Sequence, residues 1–293
     1  MYVELNAGDL NVGVVDNAAH HELSGHRAGY NGLAWMKSAH RRENLFVPLY
    51  AGLNLELYFD GTDTVRERLF EPRSAPITLR CIDDTAAVLY QPPTPHFQVE
   101  SWTTFQLVAP HYVDFHFRAI PRARTFDGPM GVFWASYIER PEDLALHFPV
   151  VDEHGERWIR HSTPRHGVES THRFPEDAID LPASGMHEQY MYASLSKWRL
   201  AKPYYYGVSH GMMYLFMVDE SAKSNGTTVR FTQSPSGGGS GCPAWDFQML
   251  VPDYQIDTPY GFSARVVYKP FQSHWDIENE YAQWQARRSD PRT

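Results

Sequence analysis

The chain has 293 residues, a net charge of −9 with histidine neutral, and only two short basic runs, His40-Arg41-Arg42 and Arg287-Arg288. A phosphate backbone is held by clustered lysine and arginine, so neither nucleic acid nor an anionic membrane surface is an expected partner. No stretch of about 18 apolar residues is present, and Met1-Tyr2-Val3-Glu4-Leu5 lacks a basic segment followed by an apolar one. The expectation is therefore a soluble, cytoplasmic chain. Aromatic residues make up 14% of it. Their bulk suits a pleated, half-buried surface, which points to β structure.

Taken in chain order, the first feature is a histidine cluster, His20-His21-Glu22 with His26. Such spacing in a loop can ligate a metal. No cysteine pair or His-Glu-x-x-His pattern supports it, so a surface loop is the default and no metal or cofactor is expected. Leu53, Leu55, Leu57 and Phe59 then alternate with Asn54, Glu56, Tyr58 and Asp60, as in a half-buried strand, and Asp60-Gly61 supplies a turn. A short helix is expected over Thr62 to Phe70. Strands follow at Ile77 to Ile82, Ala86 to Tyr90, Phe97 to Val108, Tyr112 to Ile120, Val132 to Ile138 and Leu144 to Phe148. Residues 152–184 are rich in His, Pro, Glu and Asp without periodicity, and read as a long irregular excursion. Met186 to Trp198 is ambiguous between helix and strand. Further strands are expected at Met212 to Val218, Thr227 to Thr232, Trp245 to Val251 and Phe262 to Lys269, before a polar tail from residue 272 onward. Cys81 and Cys242 read as two reduced thiols unless the fold brings them together.

Many short strands punctuated by Pro and Gly, with few helices, predict an all-β fold: one large antiparallel β-sandwich over residues 1–293. Within it, the stretch His111 to Ala119 carries the strongest chemical signal. Side chains on a strand alternate faces, so Val113, Phe115, Phe117 and Ala119 form a core face. Tyr112, Asp114, His116 and Arg118 form the other. A phenol, an acid, an imidazole and a guanidinium in succession are able to bind hydroxyls and move protons; the competing reading is a salt-bridge ladder on a wet face. Glu100 and Trp102 share the polar face of the preceding strand. Asp246 and Gln248 share a face of an otherwise apolar strand, and a carboxylate there is costly unless paired. The Ser234 to Gly241 segment is either a loop beside a site or an exposed hairpin tip. His210 follows the run Tyr204-Tyr205-Tyr206 at the mouth of another strand.

These polar strands, together with Asn31-Gly32-Leu33 near the start, resemble the galactose mutarotase-like supersandwich, shared by aldose epimerases and several polysaccharide lyases. The resemblance spans roughly Gly25 to Pro270. It implies sugar handling, with a histidine that protonates the ring oxygen and a glutamate that takes the anomeric proton. Cys242-Pro243-Ala244-Trp245-Asp246-Phe247-Gln248 is similar to the stretch holding that glutamate, with Asp246 in its place. Ser209-His210-Gly211 through Phe216 is similar to the histidine segment.

Aromatic rings also stack on the apolar faces of sugars. The expectation is thus a carbohydrate-active enzyme of epimerase, lyase or hydrolase type. Its acid or base groups would come from His116, His210, Asp246 and Asp114, and Tyr112, Arg118, Glu100, Trp102, Trp134, Tyr204 and Gln248 would contact the sugar. The alternatives are a non-catalytic carbohydrate-binding protein and a metal-dependent β-sandwich enzyme.

Overall fold

Period-two alternation is realised in two large sheets stacked face to face, seen in a computed structural model that describes residues 1–18, 30–181, 191–219 and 226–288. The His20, His21 and His26 cluster lies outside the described residues. A small sheet leads the chain, with β1 (Tyr2–Ala7), β2 (Leu10–Val15) and β3 (Gly32–Ser38) in sequence order. The next strands and helices are β4 (Asn54–Phe59), α1 (Arg66–Leu69), α2 (Glu71–Ser74), β5 (Thr78–Asp83), β6 (Ala86–Gln91), β7 (Val99–Val108), β8 (Tyr112–Pro121) and β9 (Met130–Ala135). After them come β10 (Leu146–Asp152), β11 (Gly155–His161), β12 (Thr171–Arg173), β13 (Leu195–Arg199), β14 (Tyr204–Ser209) and β15 (Met212–Val218). The chain closes with β16 (Thr228–Ser234), β17 (Ala244–Val251), β18 (Tyr260–Pro270) and α3 (His274–Arg288).

A nine-stranded sheet has the order β11-β10-β14-β15-β18-β8-β7-β6-β5, and a six-stranded sheet has the order β13-β12-β16-β17-β9-β4. Pairing is antiparallel throughout both, except that β12 and β13 run parallel. The fold is a large antiparallel β-sandwich, as the strand pattern predicts. Among the described residues, no helix is long and apolar enough to cross a membrane.

Between the sheets lies an aromatic core. Phe117 of β8 meets Trp134 of β9 edge-on at 4.6 Å, and Trp134 stacks on Phe247 of β17 at 5.0 Å. Phe247 in turn stacks on Phe216 of β15 at 4.2 Å. Val113, Phe115, Phe117 and Ala119 all face this core, so the alternation read from β8 holds. Trp134 is completely enclosed in it. That corrects its expected role: Phe117, Phe247 and Phe262 already pack against the indole, so it has no ring face left for a sugar.

In β4 the simple alternation breaks. Its register shifts between Leu55 and Leu57, and the extra residue of a bulge flips the side chains that follow. Leu55 and Tyr58 point into the core, whereas Leu57 and Phe59 join the cluster on the opposite face of the sheet.

The excursion begins as ordered sheet. Asp152 pairs with Gly155 across a tight β10–β11 turn, in which the Asp152 carboxylate accepts the His154 amide at 2.9 Å. Residues 162–181 then contribute β12 to the six-stranded sheet and lie over its outer face.

The polar tail forms α3, which packs on the outer face of the nine-stranded sheet through Ile277 and Trp284. Lys269 anchors it, with Nζ 2.9 Å from Asp276 and 2.5 Å from Glu280, while the Tyr112 hydroxyl donates to Glu280 at 3.0 Å. Burial alone would raise the Glu280 carboxyl, but the neighbouring His111, Lys269 and Tyr112 outweigh it and hold the group down to about 2. Lys269→Met strands two carboxylates and is expected to cost about 3 kcal/mol in urea unfolding. The Glu280 contribution is present above the ordinary value of 4.5 and lost as pH falls through about 2. The gap between parent and variant should therefore close on acidification; a gap independent of pH would contradict this account.

Candidate functional site

The outer face of the six-stranded sheet is where buried polar chemistry collects. On β17, Trp245, Phe247 and Met249 point into the core, so Asp246 and Gln248 point out. Their cross-strand partners on β16 are Thr232 and Arg230. On the other side, Ala135 and Tyr137 belong to the same outer cluster. An outward sheet face is ordinarily wet. Here Tyr30, Leu69 of α1, residues 177–181 and Tyr192 cover it, and Asn54, Arg230, Asp246 and Gln248 are each 0% exposed.

Two carboxyl groups sit under this cover. Glu56 accepts the Tyr137 hydroxyl at 2.5 Å and the Asn54 amide at 3.4 Å. The Tyr30 ring stands edge-on to Tyr137 at 5.5 Å, and the Arg73 guanidinium lies 3.8 Å over the Tyr30 ring. Burial pushes the Glu56 carboxyl up, and the Arg73 charge and the Tyr137 hydrogen bond pull partly against it. Among the described residues, Asp246 has a single donor, the Ser136 amide at 2.9 Å on Oδ1, and its Oδ2 has no partner. Burial pushes its carboxyl well above the ordinary range, and the Glu56 charge adds to the rise.

The polar atoms around Asp246 are only partly satisfied. Gln248 Nε2 donates to the Tyr192 carbonyl at 3.1 Å and lies 3.3 Å from the hydroxyls of both Thr171 and Thr232, but Gln248 Oε1 has no partner. Arg230 grips Asp177 through Nε at 2.6 Å and Nη2 at 2.8 Å, leaving Nη1 without a partner. Asn54 Oδ1 is also unpartnered. Leaving such a group buried and unsatisfied costs about 1–3 kcal/mol each. Four of them, on Asp246, Gln248, Arg230 and Asn54, lie on the outer face of one sheet. At the rim, His166 Nδ1 lies 2.9 Å from the Ser234 hydroxyl, and burial lowers its imidazole while the Glu56 charge opposes that. Among the described residues, no group of three or more His, Cys, Asp or Glu side chains is arranged to hold a metal.

Of the residues singled out from the sequence, the structure brings Asp246 and Gln248 into this site. Tyr112, Asp114, His116 and Arg118 do share one face, as alternation requires. That face is the outer wall of the nine-stranded sheet, on the far side of the core. There Asp114 pairs with Arg265 at 2.5 and 2.8 Å, and His116 Nδ1 meets the Ser263 hydroxyl at 2.9 Å. The Arg118 guanidinium lies 4.9 Å from the Trp102 ring centroid, and Tyr112 is bound to α3 through Glu280. Glu100 accepts the Tyr90 hydroxyl at 2.7 Å and Arg122 Nε at 2.9 Å. This is the salt-bridge ladder that competed with the functional reading.

Two further candidates are structural. His210 and Gly211, with φ of 52° and 76°, form the two-residue turn between β14 and β15, and His210 Nδ1 pairs with Glu142 at 2.7 Å. Tyr204 packs against Tyr281 of α3 at 5.0 Å, because alternation on β14 turns it outward from the core. The Ser234 to Gly241 segment is a series of tight turns whose first residue binds His166. Cys81 is exposed and Cys242 buried, and both are free.

Sequence reasoning missed Glu56, Asn54, Tyr137, Arg73, His166 and Arg230. The first two stood in the polar half of the 53–60 alternation, and Arg230 is a charge inside a β-branched strand; both are the anomaly that singled out Asp246. Tyr137, Arg73 and His166 carry no such signal, because only the folding of the excursion and α2 over the sheet places them.

No protein-family model matches the chain, and no curated protein matches its sequence. Solved structures do match its fold. A galactose mutarotase related enzyme from Lactobacillus acidophilus superposes with a TM-score of 0.51 at 9% identity, covering 93% of this chain and 100% of that one. An α-N-acetylgalactosaminidase from Bifidobacterium bifidum gives 0.54 at 10% identity, covering 98% of this chain and 39% of that one. The fold is therefore similar to that of these two enzymes, as the resemblance read from the strand pattern implies. Identity this low establishes the fold and leaves the chemistry to the site.

Proposed function

We propose that the protein is a carbohydrate-active enzyme that moves protons on a sugar bound against the outer face of the six-stranded sheet, with Asp246 and Glu56 as its acid and base. The observation that carries this reading is Asp246, fully enclosed with Oδ2 free, in the company of a second buried carboxyl group. Two carboxyls whose surroundings differ divide the labour between them. Asp246, with one amide donor, keeps its proton and is the acid. Glu56, with a phenol and a guanidinium nearby, ionises first and is the base. Gln248 Oε1 and Asn54 Oδ1 accept hydrogen bonds from ring hydroxyls. The named activities of the two fold neighbours, both on sugars, support the same substrate class.

The test is a panel of anomerically pure aldoses, aryl glycosides and uronate-containing oligosaccharides, followed by NMR for conversion and by calorimetry for binding. Conversion of at least one class is expected, and His116→Ala and His210→Ala should retain it within about twofold, as surface substitutions do. Binding without conversion would leave only a carbohydrate-binding protein. Neither binding nor conversion across the panel would end the proposal.

A further inference from the structure

Arg230, like Asp246, has no exposure at all and yet is not fully used. Its Nε and Nη2 are committed to Asp177, and Nη2 also reaches the Ile179 carbonyl. Both contacts come from the segment that covers the sheet. Nη1 has no partner. Directly across the strand pair is Gln248, which carries the unpartnered Oε1 and holds the Tyr192 carbonyl on the far side of the same cover.

Chemistry narrows what Nη1 can meet. A guanidinium presents its donors in a rigid planar fork, so binding Asp177 through one edge fixes the direction of the remaining N–H groups. The pair is already neutral overall, because the Asp177 carboxylate cancels the charge. An anionic ligand would find no net attraction there, whereas a hydroxyl oxygen would find a well-aimed donor. On the cross-strand partner of Arg230, Gln248 Oε1 accepts. A donor next to an acceptor is the complement of a hydroxyl group, which both accepts and donates.

We propose that Arg230 and Gln248 together bind one specific ring hydroxyl of a neutral sugar, and that Asp177 is the positioning residue that holds the guanidinium for it. This rests on the sugar reading of the Asp246 site and adds to it a specificity-determining contact. Because Asp177 and Ile179 belong to the covering segment, sugar binding and seating of that segment strengthen one another.

Arg230→Lys keeps the ion pair with Asp177 and removes the fork. Kinetics of the parent and of this variant on the converted sugar and its complete set of monodeoxy analogues test the proposal. The variant is expected to raise KM about 10- to 100-fold, the range for a hydrogen bond to a charged group, with kcat changed less than about threefold. One monodeoxy analogue should lose the same factor with the parent and nothing further with the variant, a pattern that loss of folding cannot mimic. Asp177→Asn should raise KM in the same direction and speed protease cleavage within residues 163–181, and saturating sugar should slow that cleavage in the parent.

If Arg230→Lys does not fold, Arg230→Gln combined with Asp177→Asn replaces a neutral pair with a neutral pair and carries the same comparison. Equal penalties for every analogue in parent and variant would overturn the assignment. So would a parent that prefers a carboxylated sugar and loses that preference with Arg230→Lys. A parent that binds no sugar would instead overturn the reading of the whole site.

Discussion

Asp246→Asn is expected to lower kcat by about 10³-fold, within the range for removal of a general acid or base, while sugar affinity changes less than tenfold. Asparagine keeps the shape and still accepts the Ser136 amide at Oδ1, but it has no proton to give. The same substitution should alter stability in the opposite sense. Burial raises the Asp246 carboxyl well above its ordinary 3.8, so folding favours the protonated form. That contribution is fully present at low pH and is lost as pH climbs from the ordinary value toward the raised one. Asparagine does not ionise, so the variant lacks this loss. Urea midpoints measured from pH 4 to pH 9 should show the variant gaining on the parent as pH rises. A variant that is less stable across the whole range would mean that Asp246 is a structural ion, and a variant with full turnover would remove it from the chemistry.

Trp134→Ala is expected to cost about 3–5 kcal/mol, the penalty for emptying a large aromatic site in a core. The indole is wedged between Phe117 at 4.6 Å, Phe247 at 5.0 Å and Phe262 at 5.4 Å. No backbone movement can close that space, since all four residues lie on strands of two sheets locked by their ladders. Trp134→Phe leaves a smaller void and should cost less than half as much. Neither substitution should change KM for a sugar in protein that remains folded. A selective rise in KM with unchanged stability would return Trp134 to the ligand site and place the sugar between the sheets.

These two residues show how much the sequence discloses. The sequence offers Trp134 as a sugar contact because it is an aromatic ring, and Asp246 as an acid or base because it is a carboxylate on an apolar strand. Alternation tells which residues share a face, but not whether that face meets the other sheet, a covering segment or water. A carboxylate in an apolar strand such as Asp246 is anomalous wherever the strand sits. A tryptophan there is ordinary. The Tyr112-Asp114-His116-Arg118 ladder failed to reach the site for the same reason. Its geometry was right, but its partners, Arg265, Ser263 and Glu280, come from β18 and α3, 147 to 168 residues further along the chain. Period two carries no information over such distances.

By itself the sequence determined many of the strands, the two faces of β8, and the placing of Asp246 and Gln248 together on one face of β17, because side-chain alternation is a local property of the backbone. Tertiary structure alone decided which outer face is covered and so offers the candidate site. The 162–181 excursion, Tyr30 and the α1–α2 turn fold over the six-stranded sheet and strip water from its polar residues, while the equally polar face of the nine-stranded sheet receives ion-pair partners instead. Desolvation and pairing depend on what lies opposite in space, and those neighbours are set by long-range packing.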